Sequence, residues 1–104
     1  MTERGMTSAE EYRGPARITV GDQEIETEVR LSARFEPVEG RYRWAGRTAP
    51  DGTLLAHVTG GGRAATLRIS GAEPVAARLG EPDPWGGVRL AGVGTPPWAS
   101  VDVP

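Results

Sequence analysis

The residues of this sequence best suited to bind an anion are arginines that alternate with aromatic side chains. They lie in FEPVEGRYRWAGR, residues 35–47, which combines Phe35, Tyr42 and Trp44 with Arg41, Arg43 and Arg47. Guanidinium groups bind carboxylates and phosphates through paired hydrogen bonds, and aromatic rings add an apolar contact. The segment therefore indicates either a site for an anionic or aromatic ligand, or the two faces of one β-hairpin.

Three further residues are candidates for acid–base chemistry, namely His57, Glu36 and Asp83. A carboxylate acts as a base near neutral pH only where burial raises its pKa. His57 is the sole histidine, and the pattern around it leaves its orientation open. A structural role is the simpler interpretation for it. The catalytic residues are therefore unknown at this stage, and Tyr42 joins these three only as an acid–base candidate.

Composition excludes several kinds of chemistry. The chain has no Cys and no Lys, which excludes thiolate catalysis, zinc–sulfur sites and lysine Schiff bases. It has no nucleophile elbow, no phosphate-binding glycine loop before a helix and no His–Glu metal motif. We therefore expect no metal site and no cofactor bound by a motif of its own.

Length and charge favour one small domain. The chain has 104 residues and a formal net charge of −2, which argues against nucleic acid as the main partner. No apolar run approaches the roughly 20 residues of a membrane helix, and the first residues do not form a secretory signal. We expect a cytoplasmic protein without membrane contact.

The spacing of turn residues predicts an all-β fold. The 15 glycines and 9 prolines separate short alternating runs, from which we predict about seven strands and no helix. The run LLAHV, residues 54–58, is predicted as one of these strands. The expected architecture is a small antiparallel β-barrel or a strongly bent meander sheet over residues 12–98. Residues 1–11 are predicted as a mobile tail and residues 99–104 as a C-terminal tail, with Trp98 packing back onto the body.

The apolar pattern also predicts how the strands pair. A two-residue turn at Gly21–Asp22 places Ile18 opposite Ile25 and Arg17 opposite Glu26. In the next hairpin, apolar matching places Phe35 opposite Tyr42 and Ala33 opposite Trp44. That register forces Arg34 against Arg43 and Arg30 against Arg47, and Arg13 joins them from the first strand.

Like charges directly opposite each other are unfavourable in a sheet. The simpler interpretation is a solvent-exposed face that is neutralised by neighbouring glutamates. The alternative is that an anion or an acidic partner binds there. The sequence leaves both open.

Aromatic residues supply the remaining ligand candidates. Tyr42 and Trp44 are expected to point into the barrel, where Trp44 fills the core or lines a pocket. Trp85 lies in the loop DPWGG at the predicted barrel mouth and is the better ligand contact. The predicted ligand-binding residues are Tyr42, Trp44, Trp85, Arg43 and Arg47.

Three segments together resemble an uncharacterised domain family of actinobacteria. They are YRGPARITV, RFEPVEGRYRWAGR and DPWGGVRLAGVGTPPW, which lie within residues 12–98. Members of that family occur alone or C-terminal to flavin-dependent monooxygenase-like proteins. The resemblance implies an accessory domain that is linked to flavoenzyme or secondary-metabolite chemistry, with a flavin-dependent oxidoreductase as partner. The resemblance identifies no catalytic residue in this chain, and any flavin would be bound by the partner.

Three hypotheses on function follow. The first is a non-catalytic accessory or small-molecule-binding module, with an aromatic or apolar ligand. The second is a small cofactor-free enzyme, an isomerase or cyclase, with an acid–base pocket inside the barrel. The third is a structural role in a homodimer that forms through an uncovered strand edge.

Overall fold

The computed structural model describes residues 11–98. It contains six strands and one helix: β1 Glu11–Val20, β2 Gln23–Glu36, β3 Arg41–Thr48, α1 Gly52–Thr59, β4 Ala64–Arg68, β5 Val75–Pro82 and β6 Val88–Val93. Strand β1 begins at Glu11, one residue inside the predicted N-terminal tail. The rest of both predicted tails lies outside the described residues.

The strands form a closed barrel in the order β1-β2-β3-β6-β5-β4, and every neighbouring pair is antiparallel. Two three-stranded meanders, β1 to β3 and β4 to β6, are joined through α1. This confirms the predicted small all-β barrel, with six strands instead of about seven. Each strand has a neighbour on both sides, but β2 beyond Ser32 pairs only with β3, and β1 pairs with β4 only at residues 17–19. The homodimer hypothesis therefore stays a prediction.

The predicted strand at residues 54–58 is wrong, because these residues lie in α1. The backbone N–H of Leu54 donates to Oδ1 of Asp51 at 3.0 Å, which caps the first turn of the helix. Leu54 and Val58 are buried and lie four residues apart, so they share one face of the helix. The helix thus begins at Gly52, directly after its cap. No helix in residues 11–98 is long and apolar enough to cross a membrane.

The barrel interior is filled by side chains. Its largest members are Trp44 and Trp98, whose ring centroids lie 6.4 Å apart in an edge-to-face arrangement. Tyr12 stacks on Trp98 with centroids 6.2 Å apart. Trp98 thus packs back onto the body as predicted.

Two glycines make room for this packing. A Cβ atom at Gly92 would collide with the indole of Trp44, its partner across the β3–β6 pair. A Cβ atom at Gly46 would collide with the carbonyl oxygen of Arg30 on β2. Glycine at these positions therefore permits the close approach of side chain or backbone that a tightly closed barrel requires.

Replacement of a buried tryptophan should cost far more stability than replacement of an exposed one. Trp44 is 2% exposed and Trp85 is 71% exposed, so they form a matched pair. We expect Trp44→Ala to lower the free energy of unfolding by about 3–5 kcal/mol. Trp85→Ala should lower it by less than about 1 kcal/mol. Urea unfolding followed by far-UV circular dichroism measures both, and equal losses would contradict the described core.

Candidate functional site

Four arginines lie side by side on the outside of the barrel. Arg13 pairs with Arg30, Arg30 with Arg47, and Arg47 with Arg89, across β1, β2, β3 and β6. Directly opposed residues in antiparallel strands share a face, and all four side chains are exposed. We call these four residues the arginine row. The predicted pairing of Arg30 with Arg47, and the place of Arg13 beside them, are confirmed.

Within residues 11–98, no carboxylate forms an ion pair with the arginine row. The ion pairs found there join Arg17 to Glu24 and Glu26, Arg34 to Glu36, and both Arg41 and Arg43 to Glu39. Glu11 and Glu28 line the same surface but form none of these contacts. No carboxylate of this part of the chain therefore contacts the guanidinium groups of the row directly.

The second predicted arginine pair has a different environment. Arg34 lies opposite Arg43 as predicted, but each has its own carboxylate. Arg43 donates from Nε and Nη2 to Glu39 at 3.0 and 2.7 Å, and Arg34 lies 3.0 Å from Glu36. The hydrogen bond from Arg43 lowers the pKa of Glu39, and the same bond raises the pKa of Arg43. Here the face is neutralised by glutamates.

Trp85 lies beside the arginine row on a tightly hydrogen-bonded loop. The backbone N–H groups of Trp85 and Gly87 donate to Oδ1 of Asp83 at 2.8 and 3.0 Å. The N–H of Asp83 donates to the carbonyl of Gly87 at 2.9 Å. Asp83 is buried and its carboxylate holds the loop, while the Trp85 ring stays 71% exposed with Cζ of Arg47 5.6 Å from its centroid. This distance is that of a cation–π contact.

Thr48, which was not among the predicted site residues, connects this loop to the barrel. Its buried hydroxyl oxygen accepts the N–H of Val88 at 3.1 Å. A Cβ atom at Gly87 would collide with the Thr48 carbonyl oxygen, so the loop packs directly on the end of β3. In the sequence, the signal that could have indicated this role is a threonine at an inward-facing position of β3.

Two grooves share Arg13, Arg30 and Arg47. The first, of about 700 Å³, lies over Ser32, Ala45 and Gly46 and reaches Arg89. The second, of about 480 Å³, extends over Thr48 and Gly87 to Trp85. Both volumes lie in the range of small-molecule sites. The arginine row thus borders space for a ligand.

Three of the five predicted ligand residues lie outside both grooves: Arg43, which is held by Glu39, Trp44 and Tyr42. Trp44 is in the core. Tyr42 does not point into the barrel as expected; it is 39% exposed and meets Phe35 edge to face at 5.3 Å. Ser32 is the last residue of β2 that pairs with β1, whereas β2 and β3 continue beyond it. Phe35 and Tyr42 therefore lie beyond the part of the barrel that β1 closes.

The acid–base candidates are not brought together in either groove. His57 lies in α1 with its ring against Gly62, and Glu36 pairs with Arg34 at the end of β2. Of the three, only Asp83 lines a groove that the arginine row borders. Residues 11–98 also contain no group of three or more His, Asp or Glu side chains that could hold a metal ion.

Fold and site together define a small closed β-barrel with a cationic outer face. The chain belongs to the family described as Domain of unknown function (DUF4873), whose model matches residues 9–100. It is 40% identical over 91 residues to uncharacterized proteins of Mycobacterium tuberculosis H37Rv and Mycobacterium bovis. These matches cover 85% of this chain but only 25% of each relative, so the chain spans a quarter of their length. No solved structure matches it significantly.

The predicted membership of an actinobacterial family of unknown function is thereby confirmed, since both relatives come from mycobacteria.

The ion pair between Arg43 and Glu39 can be tested by titration. The pKa of Glu39 lies below its ordinary value of 4.5, chiefly because Arg43 donates a hydrogen bond to it. In Arg43→Gln we expect this pKa to rise toward 4.5, measured by NMR titration of the side-chain carboxyl. The pair stabilises the fold at pH values above the ordinary pKa of 4.5, and this contribution is lost as the pH falls through the lowered pKa of Glu39.

Arg47→Gln is the matched control and should leave the pKa of Glu39 unchanged. An equal rise in both variants would show that a general loss of positive charge, and not the hydrogen bond from Arg43, sets this pKa.

Proposed function

We propose that this chain is a non-catalytic accessory module that binds an anionic ligand on the outer face of its barrel. The single observation that carries this proposal is the arginine row without a carboxylate partner in residues 11–98. Each directly opposed pair of like charges is destabilising, by roughly 0.2–1 kcal/mol. A bound anion converts that repulsion into charge-assisted hydrogen bonds.

The proposed binding surface is the arginine row together with Trp85. It differs from the set expected from the sequence, which also included Tyr42, Trp44 and Arg43. Trp44 is enclosed in the core, Arg43 is held by Glu39, and Tyr42 lies outside both grooves. Arg47 and Trp85 remain from that set, and both line the second groove.

The accessory role draws on the family context. The chain resembles domains that occur alone or C-terminal to flavin-dependent monooxygenase-like proteins, and it spans a quarter of its mycobacterial relatives. We therefore propose a cytoplasmic module that serves flavoenzyme or secondary-metabolite chemistry, with a flavin-dependent oxidoreductase as its partner. The flavin belongs to that partner, because this chain has no dinucleotide-binding glycine fingerprint.

The alternative function, an isomerase or cyclase with an acid–base pocket inside the barrel, has less support. Trp44 and Trp98 occupy the interior formed by residues 11–98. Glu36 is paired with Arg34, and the Asp83 carboxylate holds its own loop.

Calorimetric titration with benzoate, phenyl phosphate and inorganic phosphate tests the proposal. We expect at least one of these anions to bind, and Arg30→Gln to weaken it by about tenfold or more, because a charge-assisted hydrogen bond is lost. Arg68→Gln is the matched control, since Arg68 is exposed on β4 and lines neither groove. Equal affinity in the two variants, or no binding of any anion, would refute the proposal.

A further inference from the structure

We infer that the ligand is an aromatic phosphate ester, with its ring on Trp85 and its phosphate on Arg13, Arg30 and Arg47. This inference rests on the proposed function and specifies its ligand class. It starts from one geometric fact. The second groove, of about 480 Å³, is lined both by the exposed Trp85 and by three residues of the arginine row.

The ring site is formed in advance. Four hydrogen bonds within residues 83–87 fix the loop, so the indole is presented by a rigid turn. Arg47 lies 5.6 Å from the ring centroid, yet 71% of the Trp85 surface remains exposed. A ligand ring can therefore stack on the indole without displacing core residues, which favours binding because little order has to be created.

The charge arrangement favours phosphate over carboxylate. A carboxylate has one charge and two oxygens, and a single guanidinium satisfies both of them in a bidentate pair. The row presents its arginines one strand spacing apart, about 4.8 Å. A phosphate ester has three terminal oxygens and a charge of about −1.5 to −2, so two or three neighbouring arginines can share it.

Two carboxylates also line this groove. The Asp83 carboxylate accepts two backbone N–H bonds and is committed to its loop. Glu28 is exposed and forms no ion pair with the row, so it repels a bound anion. Glu28 lies two residues from Arg30 on the same outward face of β2, so it weakens the binding of a phosphate to Arg13, Arg30 and Arg47 without blocking it.

Calorimetric titration of the full chain with phenyl phosphate, benzoate and inorganic phosphate tests this inference. Phenyl phosphate should bind about tenfold or more tightly than either other ligand, because only it uses both ring and arginines. Trp85→Ala should reduce its affinity to that of inorganic phosphate. Glu28→Gln should increase its affinity by about two- to fivefold, because a nearby negative charge is removed.

The outcomes distinguish failure of the phosphate-ester ligand class from failure of the anion-binding face itself. Benzoate binding as tightly as phenyl phosphate, with loss in Arg30→Gln, would overturn the phosphate class and leave the anion-binding face in place. Failure of all three ligands to bind at about 10 mM would overturn both. All substituted side chains are exposed, and circular dichroism of each variant separates loss of binding from loss of fold.

A final comparison distinguishes a small phosphate ester from nucleic acid, which also combines rings with phosphates. A single-stranded oligonucleotide of about six nucleotides spans more than the groove, whereas a nucleoside monophosphate fits within it. We expect the two to bind within about threefold of each other. An oligonucleotide that binds more than about tenfold tighter would assign the row to nucleic acid and overturn the inference.

Discussion

The register between strands is the constraint on which the rest of this structure depends. Side chains alternate along each strand, so the burial of Ile18, Leu31 and Leu90 fixes every outward position as well. A slip of one residue would expose the whole core, which gains roughly 1.5–3 kcal/mol for each buried aliphatic side chain. Opposed arginines cost less than that, about 0.2–1 kcal/mol for each pair. The arginine row is thus a consequence of the core, and its charge is the property that a ligand can use.

The same packing holds the row and its neighbour Trp85 in fixed positions. Gly46 and Gly92 permit the close approaches that close the barrel, and Trp44 fills the space beside Gly92. At the other end of β3, Thr48 holds the loop of Asp83 through the N–H of Val88. Core, loop and outer face are therefore mechanically connected, and the cationic surface is carried by rigid elements instead of mobile loops.

The sequence predicts local pairing well and distant pairing poorly. Turns between consecutive strands and matched apolar faces give the registers of β1–β2 and β2–β3 correctly, including Arg30 opposite Arg47. The contact of β3 with β6 joins strands far apart in the chain, so the place of Arg89 was not predictable. The helix was missed because Leu54, Ala56 and Val58 also alternate as in a strand. Asp51 and Gly60, which cap the helix, carried the correct signal.

We propose that the arginine row is one anion-binding surface, distinct from the arginines that already have carboxylate partners. The most direct measurement is NMR of the arginine Nε–Hε groups during titration with phenyl phosphate at constant ionic strength. We expect the resonances of Arg30 and Arg47 to move together and saturate, while those of Arg17 and Arg43 stay in place. Equal, non-saturating shifts at Arg17 and Arg43 would contradict it, because they would show unspecific attraction of the anion to every exposed guanidinium.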